Sequence, residues 1–459
     1  MASVRKLVVT TTVAALCAMA AACTSSGQEN TPGSPSTAPS STAPLSSAAA
    51  SPGPVTLRFA VYGDAASAAS YDDLAKAFHE DNPNVTVEVE RAPDAEAAYA
   101  ELMVEFELQD TPDVFLLDHH RLPALVGEHL VHPVNALLEE REVDFGDGFQ
   151  RDALEAFSEL SALQCMPNDV SPLVVYYNKD LLNLFSLVPI DEDPPNAVDG
   201  WSWEQFSAAA KQMSDDRVKG VYIEPKLETL APFIASAGGV IVDDAKSPTT
   251  LTMGDEDTRA ALEQVLALVR DASVTPTRSE LARQDAVTQF KRGRLGMILG
   301  TRALTPELRT KKNLNFEVMP LPSLGRYRTI ASMNGYCISS ESDHVEVAAD
   351  FLAFATGRKG ATITSIDGYV VPSNLEVALS PAFTQPGQLP KNSSVFNEGV
   401  RQSDPAPFIK EWPAVVQATQ PLLERLFYTP VIDLDNLLEQ IDLASRPILT
   451  PEGPTPTPG

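Results

Sequence analysis

Val55-Thr56-Leu57-Arg58-Phe59-Ala60-Val61-Tyr62-Gly63-Asp64 is the stretch on which the fold turns. Val55, Leu57 and Phe59 alternate with Thr56 and Arg58, the period of a strand with one face in a core, and Gly63-Asp64 breaks it into a loop. Leu74, Ala77 and Phe78 then recur at helical spacing up to Asn82-Pro83, and Val85, Val87 and Val89 alternate as a second strand. Tyr99, Leu102, Met103 and Phe106 return to the helical period, and Asp113-Val114-Phe115-Leu116-Leu117-Asp118 reads as a short buried strand. Strand, helix, strand, helix, strand predicts a layered α/β sheet with helices on its faces.

Outward from that stretch the pattern repeats. Leu173-Val174-Val175-Tyr176-Tyr177, Leu295-Gly296-Met297-Ile298-Leu299 and Tyr336-Cys337-Ile338 read as strands. Helical faces are carried by Ala208, Ala209 and Met213, by Leu262, Val265, Leu266 and Val269, by Ala348, Phe351, Leu352 and Phe354, and by Leu422, Leu423, Leu426 and Phe427. Ser202 with Gln205 three places on predicts a capping box at Trp203. No short repeat is present, and residues 450–459, rich in Pro, Thr and Gly, are expected to be disordered.

The chain has 459 residues, enough for more than one domain, and its formal charge of -28 is spread along its length. Such a surface repels a phosphate backbone and an anionic lipid face, which disfavours nucleic-acid binding and flat docking on membranes.

At the N-terminus, Arg5 and Lys6 precede an uncharged apolar run from Leu7 to Ala22, too short for a comfortable membrane span, and Ala20-Ala21-Ala22 leads into Cys23. This is the layout of a secretory signal over residues 1–22. The segment resembles a bacterial lipoprotein signal, which implies diacylglyceryl attachment at Cys23, although Ala20 stands where that motif usually has Leu. Residues 23–54, dominated by Ser, Thr, Ala, Pro and Gly, read as a flexible tether. The chain is thus expected at the outer face of the bacterial cytoplasmic membrane, held by its lipid alone. Cys17 leaves with the signal, so Cys165 and Cys337 remain, either bridged or as two buried thiols; export favours the bridge.

Several phrases together resemble family 1 extracellular solute-binding proteins, the maltose- and sugar-binding subunits of ABC importers. They are the opening at residues 55–64 with Leu74–Phe78; Thr111-Pro112-Asp113-Val114-Phe115; Asn168-Asp169-Val170-Ser171-Pro172 leading to Tyr176-Tyr177-Asn178-Lys179-Asp180-Leu181; Gly200-Trp201-Ser202-Trp203-Glu204-Gln205-Phe206; Gly296-Met297-Ile298-Leu299-Gly300; and Gly368-Tyr369-Val370-Val371-Pro372-Ser373. They run in the family's order from about Val55 to Leu449. The resemblance implies a periplasmic-binding-protein-like α/β fold: two lobes, each a mixed sheet flanked by helices, with the ligand cleft at the hinge. Lobe 1 would hold 55–165 plus about 295–360, and lobe 2 about 166–294 plus about 361–449, with Cys165 and Cys337 near the crossings between them. It further implies capture of a sugar, oligosaccharide or polyol by lobe closure and delivery to an ABC permease; nothing in the sequence indicates a cofactor or an obligate oligomer, so a monomer is expected.

A sugar cleft needs aromatic faces for ring C–H surfaces and a few polar groups for hydroxyls. Strand-end positions nominate Tyr62, Asp64, Asp118, His119, Asp169, Tyr177, Thr301, Arg302, Asn334, Tyr336 and Tyr369, with Trp412 as a stacking platform. Trp201 and Trp203 read instead as packing at a helix start. His119, His120, His129 and His132 lack the His-Glu-x-x-His spacing of a hydrolytic zinc site, so no metal is expected. No catalytic motif stands out: there is no nucleophile elbow or phosphate loop, and no spacing among the many carboxylates singles out a glycosidase pair. A secreted glycoside-acting enzyme and a non-transport sensor or adhesin lipoprotein remain as alternative readings.

Overall fold

A computed structural model describes residues 53–189, 193–403, 407 and 409–450. The signal, Cys23, nearly all of the tether and the tail beyond residue 450 lie outside the described residues. Twelve strands follow in order: β1 (Val55–Tyr62), β2 (Val85–Ala92), β3 (Val114–Asp118), β4 (Val131–His132), β5 (Ser158–Glu159), β6 (Ala162–Leu163), β7 (Cys165–Pro172), β8 (Val174–Asn178), β9 (Lys219–Tyr222), β10 (Leu295–Gly300), β11 (Phe316–Met319) and β12 (Ala331–Ser339).

The opening alternation makes β1 as expected, with Leu57, Phe59 and Val61 buried. β1 pairs in parallel with β2 and β3, and β12 runs antiparallel to β3 along one edge and to β7 and β4 along the other. A second mixed sheet has the order β11-β8-β10-β9. β8 buries both faces: Val174 and Tyr176 join the core continuous with the first sheet, while Val175 and Tyr177 join the core of the second. An apolar run without alternation is what a strand covered on both sides requires.

Helices cap where the side chains predict. Asp94 accepts from the Ala97 amide at 2.9 Å, opening the helix Ala95–Leu108. Both halves of the Ser202/Gln205 box form, at 3.2 and 2.8 Å. Trp201 and Trp203 pack against Phe206, and Trp203 also meets Phe233 edge-on, in the second core.

The sheets divide the chain differently from the expected lobe boundaries. β10 and β11 belong to the second sheet, where both pair with β8, and the return to the first begins only at Ala331. Val371, Phe383 and Phe396 pack with the first core, whereas the helices Trp412–Tyr428 and Leu434–Leu449 close the second. Cys165 and Cys337 are bonded, directly opposite each other in the β7–β12 register with Cα atoms 4.4 Å apart. The bridge lies within the first sheet, at the far end of the paired strands from the crossing at Pro172-Leu173-Val174. Among the described residues no helix is long and apolar enough to cross a membrane.

Candidate functional site

The two sheets are joined by strands that cross side by side. β7 passes into β8 through Leu173, whose amide donates to the Ile330 carbonyl at 2.9 Å, while the Thr329 hydroxyl donates to the Leu173 carbonyl at 2.6 Å. The Thr329 amide donates to the Gln402 carbonyl at 3.1 Å, bringing a third segment alongside. That segment can approach because residue 399 is glycine: a Cβ there would stand 2.9 Å from the Pro172 ring and 3.3 Å from the Tyr327 hydroxyl.

Against this hinge lies a cleft of about 750 Å³. Its first-sheet wall is His119 and, from the short helix Arg151–Ala156, Asp152, Glu155 and Ala156. Its opposite wall is the helix Leu227–Ala237, through Ala231, Pro232, Ile234 and Ala235, and the following loop to Asp243 and Ala245. Arg326, Thr329, Ile330, Ser403 and Pro407 line it at the hinge. The wall is mostly aliphatic, with two acids on one side, an arginine at the hinge and one acid opposite. Thr249 holds Asp243 below the usual carboxylate range through its hydroxyl and its amide. Arg326 is aimed by a 3.3 Å bond from its Nε to the Ala235 carbonyl.

Five of the nominated residues cluster in the first sheet, and one of them, His119, lines the cleft. The strand register sets Asp118, Asn334 and Asp169 in a row across β3, β12 and β7. Asn334 Nδ2 donates to Asp169 at 2.9 Å, and the Tyr62 hydroxyl donates to Asn334 Oδ1. His119 follows Asp118 and reaches the cleft wall. Burial raises the Asp169 carboxyl to about 7, against donors from Asn334, Ser171 and Asn168 and with a further push from Asp118. Burial also works against Asp118, but the hydrogen bond from His120 and the adjacent His119 prevail and hold it at about 2. The His119 share applies only to the protonated ring, and burial holds that ring down to about 4.

The remaining nominees fall elsewhere. Tyr177 and Trp412 are 4% and 1% exposed and belong to the second core, where each fills space between helices and sheet. Tyr336 is fully buried edge-on to Phe59. Arg302 is fully buried too, its guanidinium 5.0 and 5.2 Å from the Phe383 and Phe396 rings. Thr301 offers its carbonyl to the Tyr176 hydroxyl at 2.8 Å. Asp64 starts the helix Ala65–Asp81 by accepting from the Ser67 amide at 2.8 Å, and burial, with a smaller push from the Asp64 charge, raises the Tyr369 hydroxyl above its ordinary value.

No Tyr, Trp or Phe lines the cleft among the described residues, so the expected stacking platform is replaced there by aliphatic faces. The polar lining that the sequence reading missed (Asp152, Glu155, Asp243, Arg326, Thr329 and Ser403) comes from a short helix and irregular loops. Nothing in their local pattern marks them.

Comparison with known proteins agrees with this fold. A binding protein of Brucella abortus strain 2308 is 21% identical over 370 residues, covering 78% of this chain and 84% of its own. The fold matches the ABC substrate-binding protein of Listeria monocytogenes in complex with cycloalternan (20% identity, TM-score 0.74, 85% of this chain and 98% of that one). It also matches the GacH receptor of Streptomyces glaucescens, solved unliganded and with acarbose (18%, 0.71, 87% and 99%), and the sugar-binding protein MalE of Xanthomonas citri (18%, 0.73, 86% and 97%). A model of bacterial extracellular solute-binding proteins matches residues 73–391, and the chain belongs to that family.

Proposed function

We propose that this protein is the solute-capturing component of an ABC importer and takes up a carbohydrate, most simply an oligosaccharide, by closing its two lobes on it. The observation that carries the reading is the cleft of about 750 Å³ set against the crossing strands, within the range of small-molecule sites. Aliphatic faces from Pro232, Ile234 and Ile330 would take the C–H surfaces of sugar rings. Asp152, Glu155 and Arg326 would satisfy hydroxyls. The structural neighbours whose ligands are named hold cycloalternan, acarbose, maltose or related sugars, which supports the substrate class.

The protein binds without turnover, acts as a monomer, and is held at the outer membrane surface by a lipid on Cys23 with residues 23–54 as its spacer. The closed form is what a permease recognises, because closure brings both lobes' outer faces into one arrangement that the open form lacks. A thermal-shift panel of mono- and oligosaccharides tests the substrate class. A sugar at a hundred times its dissociation constant adds about 2.7 kcal/mol to stability. A panel that stabilises nothing would sink the carbohydrate assignment.

A further inference from the structure

Asp118, His119 and His120 leave the end of β3 in one tight turn, and a ligand atom from each lies within 4.8 Å of those of the other two. The imidazoles lie against each other with centroids 3.8 Å apart. Each ring has one nitrogen engaged. His120 Nδ1 stands 2.9 Å from Asp118 Oδ1, which also accepts from the His120 amide, and the backbone of Met333 bonds the His119 ring. His119 Nδ1 and His120 Nε2 are left buried with no hydrogen-bond partner, although His119 is only 2% exposed.

An imidazole that donates from one nitrogen presents a lone pair at the other, and an ionised carboxylate only accepts. His119 Nδ1 and Asp118 Oδ1 are 3.8 Å apart. Acceptors gathered this closely call for a cation between them. Two imidazoles and a carboxylate are a donor set suited to zinc and its first-row neighbours. The His119 ring is fixed through the backbone of Met333, which is not itself a ligand, and that is the usual support for such a group.

We propose that Asp118, His119 and His120 bind a divalent transition-metal ion, zinc being the best chemical match, in the first-sheet wall of the cleft. Ligand bonds of about 2.0–2.2 Å require ligand atoms roughly 3.4 Å apart; Nδ1 of both histidines with Asp118 Oδ1 meet this after a small side-chain adjustment, the ion replacing the His120 Nδ1–Asp118 bond. His119 also lines the cleft. The inference holds whatever the solute is. His129 and His132, the other half of the histidine-rich stretch, lie outside the cluster, and His132, on β4, pairs through Nδ1 with the Pro133 carbonyl.

The test is calorimetric titration of untagged, metal-stripped protein with Zn2+ alone, beside the His119→Ala, His120→Ala and His132→Ala variants. One equivalent should bind to the wild type and to His132→Ala, and loss of either His119 or His120 should weaken binding at least about tenfold. Should His119→Ala fail to fold, the less buried His120→Ala and the visible spectrum of the Co2+ form decide, since bands of a low-coordinate N/O site are expected. Absence of binding overturns the proposal. So does binding that survives in His120→Ala, or a Co2+ spectrum matching that of the free hydrated ion.

Discussion

Trp412 and Arg302 separate a residue's chemistry from its place. Both belong to types that recognise sugars, and both follow strand or loop signals in the sequence, yet each is walled into a core. Position after a strand says that a side chain is near an end; the next two dihedral pairs decide whether it faces cleft or core, and periodicity does not carry them. Trp412→Ala should cost about 3–5 kcal/mol of stability in a denaturant titration and leave solute affinity within twofold. A large affinity loss with full stability would return it to the cleft. Asp118, Asn334 and Asp169 do meet, because strand register sets them side by side across β3, β12 and β7. Asp169 makes a pH prediction. Its folded value of about 7 lies above the ordinary carboxylate value, so the stability it contributes is full below about pH 4 and is lost as pH rises through 7. Between pH 5 and 7 the wild type should lose about 2 kcal/mol relative to Asp169→Asn, and the difference should level off above 7. Parallel stability curves across that range would show Asp169 ionised throughout.

At the scale of elements, the sequence disclosed which segments are strands and helices but not every partner. The apolar run of β10 announced a buried strand; only the pairing with β8 and β9 puts it in the second sheet. Cysteine count pointed to the Cys165–Cys337 bridge, while its seat inside the β7–β12 ladder, away from the crossing, depended on register. A Cys165→Ala/Cys337→Ala variant should therefore lose roughly 2–4 kcal/mol on unfolding and keep its solute affinity. Unchanged stability would make the bridge incidental. Gly399 bears on the hinge itself. Gly399→Val adds carbon where the Pro172 ring already sits within 3 Å of a Cβ position and should destabilise by about 1–3 kcal/mol. A substitution without effect on melting or affinity would mean that the segment can back away freely.

For the whole molecule, two mixed sheets joined by crossing strands set a cleft against the hinge, between a first-sheet wall and the helix Leu227–Ala237. The architecture was legible in the sequence because it repeats in every strand–helix unit. The cleft lining was not, because it gathers Asp152, Asp243, Arg326 and Ser403 from segments with no periodicity and meaning only in three dimensions. The most direct test of capture in this cleft is calorimetric titration of the sugar panel into the wild type and into Ala231→Trp, which sets an indole into the second wall. The account predicts binding by the wild type and at least a hundredfold loss in a variant that still melts normally. Equal affinity in the two proteins, or no heat from any sugar with the wild type, would contradict it.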